Sequence, residues 1–135
     1  MLELTTYYYL AAKHSGKFLT VSENGGQIVQ NEIHLPKNQI WLFIPANNIE
    51  CYYIINKGTG ECLAETGDQI ALSKISGGDP QIWKVKHLDN GLFLIQNKED
   101  QCLCVDGKKT GNGASIMLWR YHRGEHQHWN LLKPA

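Results

Sequence analysis

A short pattern, Gln-x-Trp, occurs three times in this chain, and its tryptophans lie 42 and 46 residues apart. The three copies are Gln39-Ile40-Trp41, Gln81-Ile82-Trp83 and Gln127-His128-Trp129. Counted backwards from each tryptophan, thirteen positions align without a gap, and one aligned column holds Ile28, Ile70 and Ile116. A repeat of this length is one structural unit that cannot bury its apolar face alone. The pattern therefore predicts three similar units that share one core.

A second block of each repeat lies upstream and also aligns without gaps. Its copies are Tyr9-Leu10-Ala11, Tyr53-Ile54-Ile55 and Phe93-Leu94-Ile95. Ten residues after each aromatic residue comes a leucine, Leu19, Leu63 or Leu103. The residues between the block and its leucine are turn formers, which is typical of β-hairpins.

Each unit is predicted to consist of several short strands, since no stretch has a helical period. Three units are too few for a propeller, which needs at least about four blades. We therefore predict an all-β fold, a β-trefoil with pseudo-three-fold symmetry. It forms a single domain over residues 1–135, with repeats at approximately 4–46, 47–88 and 89–135. The predicted core contains the repeated residues Leu19, Leu63, Leu103, Trp41, Trp83 and Trp129.

The charge balance excludes several classes of partner. The chain of 135 residues has 13 basic and 13 acidic side chains, so it lacks the basic field expected of a nucleic-acid-binding protein. Its apolar stretches are too short to span a bilayer, so we expect no membrane insertion. The sequence Met1-Leu2-Glu3-Leu4 does not resemble a secretory signal, which favours a cytoplasmic location with non-classical secretion as the alternative.

The four cysteines, Cys51, Cys62, Cys102 and Cys104, are expected to be free thiols. Cys102 and Cys104 lie two residues apart on a predicted strand, so both point to one face, and a disulfide between them would be severely strained. Free thiols also agree with a reducing compartment.

The three Gln-x-Trp copies, each preceded by a strand of the Gly-x-Cys-Leu type, resemble the ricin B-chain (R-type) lectin family. These strands are Gly16-Lys17-Phe18-Leu19, Gly60-Glu61-Cys62-Leu63 and Asp100-Gln101-Cys102-Leu103. The resemblance covers roughly residues 5–133, and the last repeat resembles that of Euonymus-type plant lectins. It implies a β-trefoil that binds carbohydrate without cleaving it, with galactose or N-acetylgalactosamine favoured and no cofactor. Where the family has the downstream cysteine of each repeat, this chain has Ile33, Ile75 and Tyr121, so those disulfides are not expected.

The third repeat differs from the others in ways that predict the main site there. Trp119 is not explained by the repeat, since the same column holds Asn31 and Ser73. On an alternating strand, Ile116 and Leu118 would point inward and Trp119 outward, where its ring could stack on the apolar face of a sugar. The connection from Leu103 to Ile116 spans 13 residues, against 9 and 7 in repeats one and two. Its polar residues, including Asn112, would wall one side of a pocket.

The resemblance also indicates polar partners for a sugar. The family's Asn-Gln pair before the marker tryptophan corresponds to His126 and Gln127. The family's acidic position after the strand is occupied by Cys104, so we expect Asp106 to substitute as the hydroxyl acceptor. His122 is expected to flank the pocket. If a sugar hydroxyl donates to His126, protonation of the imidazole removes the acceptor, which predicts weaker binding in mild acid, although Asp106 would favour the charged ring.

A weaker second site is predicted in repeat one. Its candidate residues are Asn31, His34, Asn38 and Gln39, with Thr20 in the acidic position. Repeat two has Ser73 and Pro80 at the corresponding positions, and no site is predicted there.

Other functions compete with glycan binding. A β-trefoil can also act as a protease inhibitor or a protein-interaction module, and Lys108-Lys109 would offer a trypsin-like loop. Cys102 and Cys104 with His122, His126 and His128 contain a zinc ligand set, but the Cys-x-Cys spacing is too tight, so no metal is expected. A Cys104–His126 nucleophile pair lacks an orienting acid, so an enzyme is not expected. Glycans are the predicted partners, and the sequence leaves a homodimer open.

Overall fold

Short β-strands account for most of the regular structure. The computed structural model describes residues 6–23, 26–33, 36–46, 48–67 and 69–134. These residues form twelve strands, one helix of a single turn and four 3₁₀ turns. The strands are β1 (Tyr7–Ala12), β2 (Phe18–Val21), β3 (Ile28–Asn31), β4 (Trp41–Pro45), β5 (Cys51–Asn56), β6 (Cys62–Thr66), β7 (Gln69–Ser73), β8 (Trp83–His87), β9 (Phe93–Gln96), β10 (Gln101–Val105), β11 (Ala114–Arg120) and β12 (Trp129–Leu132). The helix is α1 (Pro36–Gln39), and the 3₁₀ turns are Asp79–Gln81, Asp89–Gly91, Asp106–Lys108 and Glu125–Gln127.

Six of the strands form a closed ring of antiparallel pairs. Strand β1 pairs with β4, β4 with β5, β5 with β8, β8 with β9, and β9 with β12. Strand β12 then pairs with β1 through the register Tyr9↔Leu132 to Ala12↔Trp129. Closure gives every strand of the ring a partner on both sides, so the barrel has no free edge.

The other six strands form three hairpins, β2–β3, β6–β7 and β10–β11, one from each repeat. Each repeat thus gives two strands to the barrel and two to a hairpin. Hairpins one and three are joined where β3 pairs with β11, through Gln30↔Ala114 and Val29↔Ser115. This arrangement is the all-β β-trefoil predicted from the sequence. None of the helical segments in the described ranges is long and apolar enough to cross a membrane.

The marker tryptophans hold the core together by the same contact in each repeat. Their indole nitrogens donate to the carbonyl oxygens of the repeated leucines over 3.1, 2.9 and 3.0 Å. The contact buries the polar end of each indole with a partner, which a buried N–H requires. All six side chains are 0% exposed, as the repeat predicted, and the pairs are Trp41 with Leu19, Trp83 with Leu63, and Trp129 with Leu103.

The repeated glutamine has a structural role in every copy. Its side-chain nitrogen donates to the carbonyl oxygen nine residues before the marker tryptophan, over 2.7–2.8 Å. The three bonds run from Gln39 to Glu32, from Gln81 to Lys74 and from Gln127 to Arg120. The amide thereby fixes the loop that follows the third strand of each repeat.

The upstream block does not align without a gap in repeat three, contrary to the sequence prediction. The backbone nitrogen of Asn97 bonds the carbonyl oxygen of Gln101, four residues on. The corresponding bonds in repeats one and two, from Ala12 and Asn56, span five residues. The turn of repeat three is therefore one residue shorter. As a result Ile95, not Leu94, takes the fully buried position of Leu10 and Ile54.

Candidate functional site

A cleft of about 430 Å³ opens on repeat three, where β10 ends and β11 passes beside it. Its volume lies in the range of small-molecule sites, roughly 300–1,000 Å³. Strand β10, the 3₁₀ turn after it, β11 and the loop before β12 all contribute to the wall. The lining residues are Cys104, Val105, Asp106, Gly107, Lys108, Met117, Trp119, His122 and His126.

Trp119 provides the aromatic side of the cleft. Strand β11 alternates as predicted, because Ile116 and Leu118 are each 6% exposed whereas Trp119 is 49% exposed. Cross-strand pairing with Cys102 fixes the backbone of Trp119. A half-exposed indole beside polar groups combines an apolar face with the surroundings that a hydroxyl-rich ligand needs.

The base of the cleft is a thiol. Cys104 lies opposite Met117 in the β10–β11 ladder and is 2% exposed. Burial raises the pKa of the Cys104 thiol to about 11, with a further contribution from the negative charge of Asp106. The thiol is therefore protonated at neutral pH, which argues against the nucleophile alternative. The acceptor available at this end of the cleft is the exposed carboxylate of Asp106.

Two imidazoles lie next to each other at the cleft, with their ring planes tilted by 42°. The ring centroids of His122 and His126 are 5.2 Å apart. A Cβ atom at Gly124 would lie 2.5 Å from His126 Cε1 and 2.9 Å from His122 Cε1, so only glycine allows both rings this position. Burial lowers the pKa of His126, and the neighbouring His122, His14, Lys108 and His128 lower it further. His126 is consequently neutral at pH 7 and carries one donor and one acceptor nitrogen.

The long loop of repeat three is held in place by repeat one. Gln30 is fully buried, and its side-chain nitrogen donates to the carbonyl oxygens of Lys109 and Gly111, each over 2.9 Å. Its own side-chain oxygen accepts a bond from Ser15. His14 Nε2 lies 2.8 Å from the same Lys109 oxygen. The wall that carries Asp106 and Lys108 is therefore braced across the repeat boundary.

The structure brings four of the six predicted third-repeat residues together at the cleft, namely Asp106, Trp119, His122 and His126. Gln127 is 0% exposed, and its oxygen accepts bonds from the backbone nitrogens of His122 and Gly124. It thus positions the histidine loop and does not line the cleft. Asn112 faces repeat one, where its oxygen accepts a bond from the backbone nitrogen of Glu32.

The residues predicted for a second site are largely engaged elsewhere. The Asn31 side-chain oxygen accepts a bond from the Gly113 backbone, which joins it to the long loop. The Gln39 amide donates to Thr20 Oγ1 and to the backbone of Glu32. Asn38 is half-buried and packs against Gly58. A Cβ atom at Gly58 would lie only 2.8 Å from the side-chain oxygen of Asn38. His34 lies outside the described residues.

Sequence reasoning missed Met117 as a residue that lines the cleft, whereas Lys108 belongs to the loop that was predicted to wall it. Met117 could have been found from the strand alternation, because it lies two residues before Trp119 on the same face. How Lys108 reaches the cleft depends on the turn that contains it. Gly107 and Lys108 are both in the left-handed region, with φ of 63° and 57°. These two residues reverse the chain over the rim of the cleft.

Repeat two has a cleft of a different character. It measures about 250 Å³ and is lined by Glu65, Gly67, Asp79, Pro80, Lys98 and Glu99. Lys98 pairs with Asp79 across it at 3.2 Å. None of its described lining residues is aromatic.

In the ranges that the structure describes, no group of three or more His, Cys, Asp or Glu side chains is arranged to hold a metal ion. All four cysteines are free thiols.

Comparison with known proteins places this geometry in a family. The family model described as "Ricin-type beta-trefoil lectin domain-like" matches residues 2–71 and 37–119. No curated protein sequence matches significantly.

Solved structures with the same architecture include three of different kinds. The designed three-fold symmetric protein ThreeFoil is 27% identical with a TM-score of 0.87, and the match covers 95% of this chain and 99% of that one. The exo-beta-1,3-galactanase 1,3Gal43A from Clostridium thermocellum is 28% identical with a TM-score of 0.87. The match covers 99% of this chain but only 31% of the galactanase. The ricin B-like lectin of Macrolepiota procera, in complex with lactose, is 20% identical with a TM-score of 0.84 and 99% coverage of both chains.

Proposed function

Because this chain belongs to the ricin-type beta-trefoil lectin domain-like family, we propose that it binds a glycan through the cleft of repeat three. The observation that carries the proposal is the exposed indole of Trp119 facing a cleft that also holds Asp106 and His126. No step of bond cleavage is part of the proposal, since glycoside hydrolysis ordinarily uses two carboxyl groups and the described lining residues of the cleft include one, Asp106. The protein acts by recognition alone.

The recognition chemistry combines one apolar and several polar contacts. The C–H face of a pyranose stacks on the Trp119 ring, which removes apolar surface from water on both partners. The ionised carboxylate of Asp106 accepts hydrogen bonds from sugar hydroxyls, and bonds to a charged acceptor are stronger than neutral ones. The neutral imidazole of His126, which also lines the cleft, supplies a further acceptor.

Repeat three is proposed as the principal site because the other repeats lack this combination. The column of Trp119 contains Asn31 in repeat one, whose side chain bonds the long loop. In repeat two it contains Ser73, whose hydroxyl accepts a bond from Gln81. Neither residue offers a ring for stacking.

We favour galactose or N-acetylgalactosamine at the end of the bound glycan. The family resemblance supports this choice, as does the Macrolepiota procera lectin, which was solved with lactose. An indole platform suits a sugar whose apolar C–H groups lie on one face.

The location of the protein is proposed to be the cytoplasm.

A glycan-array screen run beside a protease-inhibition assay tests this function. Glycan binding that competes with free galactose or N-acetylgalactosamine is the expected result. Inhibition of a trypsin-like protease without glycan binding would favour the alternative in which Lys108-Lys109 forms an inhibitory loop. Binding of glycans that end in another sugar would retain the site and change its specificity.

A further inference from the structure

A second basin adjoins the cleft on the side of repeat one. It has a volume of about 240 Å³ and is lined by His14, Lys108, Gly124, Glu125 and His126. Lys108 and His126 line both spaces, so these two residues form the divide between them. The two spaces therefore adjoin at these residues, and a ligand that fills both would extend from the Trp119 side across the repeat boundary.

We infer that this basin binds the second sugar unit of an extended glycan whose terminal unit occupies the cleft. The inference rests on the proposed function, because it assigns the terminal sugar to the Trp119 side. It adds that the ligand is a disaccharide or longer and that recognition of its second unit is shared between repeats one and three.

The chemistry of the basin suits a hydroxyl-rich unit. Glu125 is exposed and offers an ionised acceptor, whereas Lys108 offers a charged donor. The imidazoles of His14 and His126 also line the basin, and their ring centroids are 6.1 Å apart. The basin thus offers both donors and acceptors, and its aromatic lining residues are the two histidines, in contrast to the cleft beside Trp119.

His14, which lines the basin, has one ring nitrogen without a partner. Among the described residues, His14 Nδ1 and Gln96 Oε1 are the two buried side-chain polar atoms without a hydrogen bond. The other ring nitrogen of His14 is already engaged with the Lys109 carbonyl oxygen. A buried polar atom without a partner costs free energy, and such atoms often mark a place where a ligand or water completes the structure.

The test uses Glu125→Ala, since Glu125 lines the basin and not the cleft. Galactose and lactose are compared by titration calorimetry, followed by other monosaccharides and array glycans that end in the same sugar. We expect the extended glycan to bind the wild-type protein about tenfold tighter than its terminal monosaccharide. Glu125→Ala should remove most of that gain and leave monosaccharide affinity within about twofold.

Glu99→Ala is the matched control, because Glu99 is also an exposed glutamate but lines the cleft of repeat two. It should leave both affinities unchanged. Equal wild-type affinity for the monosaccharide and its extended forms would overturn the inference while the proposed function stands, as would an equal loss for both ligands in Glu125→Ala. Absence of any glycan binding, or binding that does not depend on Trp119, would instead remove the proposed function and the inference with it.

Discussion

Gln30 and Lys109 are 79 residues apart in the chain, yet the Gln30 side-chain nitrogen donates a 2.9 Å hydrogen bond to the Lys109 carbonyl oxygen. The same nitrogen bonds the carbonyl oxygen of Gly111. A fully buried amide of repeat one thus sets the position of the loop that walls the cleft of repeat three. Residues outside the cleft therefore determine its shape.

Replacing Gln30 by methionine should weaken glycan binding several-fold, because the side chain keeps its length but no longer bonds the loop. We expect a stability loss of about 2–4 kcal/mol from three lost bonds, two to the loop and one from Ser15. Gln81→Met is the control, since Gln81 is also a buried amide but bonds Ser73 and Lys74 within repeat two. It should lose stability without losing affinity. Calorimetric titration at a temperature where both variants are folded separates the two effects, and wild-type affinity in Gln30→Met would contradict the proposed brace.

Truncation of the exposed indole tests the stacking contact. Trp119→Ala should reduce glycan affinity by about 2 kcal/mol, or roughly thirtyfold, as for an aromatic residue at the centre of a binding surface. Thermal stability should change little because the ring is 49% exposed. The change Ser73→Ala at the corresponding position of repeat two should leave affinity unaltered. Equal binding by both variants would move the site away from repeat three.

Truncation of a marker tryptophan tests the shared core. Trp83→Ala should lower the free energy of unfolding by about 3–5 kcal/mol, since it leaves a large cavity. It also leaves the Leu63 carbonyl oxygen without its indole donor. Urea unfolding followed by circular dichroism measures the loss. A variant as stable as the wild-type protein would show that the indole is not part of the cooperative core.

Glycan affinity should fall in acid. The pKa of His126 is lowered from its ordinary value by burial and by four nearby basic groups, so the ring stays neutral through pH 7. Only on the acid side of about 6.5 does it gain a proton, and the acceptor nitrogen is then lost. Affinity should therefore be constant from about pH 8 to pH 7 and decline towards about pH 5. Titration calorimetry across that range provides the measurement.

The variant His126→Asn should flatten this pH profile while it keeps binding, because an amide oxygen accepts a hydrogen bond at every pH in the range. His87→Asn is a control, since His87 stacks on Phe93, does not line the cleft and should not alter the profile. An affinity of the wild-type protein that does not vary with pH would mean that His126 makes no contact with the ligand.

Much of the fold followed from periodicity. The Gln-x-Trp repeat predicted the trefoil and its buried tryptophans because identical residues at similar spacing occupy equivalent places in a symmetric core. The alternation of β11 likewise predicted the outward position of Trp119. The repeat did not reveal the one-residue deletion in the turn before Gln101, because Leu94 and Ile95 are both apolar and either could fill the core position.

The site was only partly predictable, since its details depend on contacts between distant residues. Asn112 belonged to the right loop, but its side chain turns to Glu32 of repeat one. Asp106 was expected to favour the charged form of His126. In the structure the charged groups that shift the pKa of His126 are basic, and they lower it. Neither the brace by Gln30 nor the basin at Glu125 has a signature in local sequence.

The barrel closes where β12 pairs with β1, with Leu132 opposite Tyr9. The last strand therefore ends beside the point where the first begins, and covalent connection between them is not required for closure. A partner domain fused before β1 or after β12 would depart from the same place on the surface. The fold can therefore be joined to a larger polypeptide at either end without any change to its internal strand pairing.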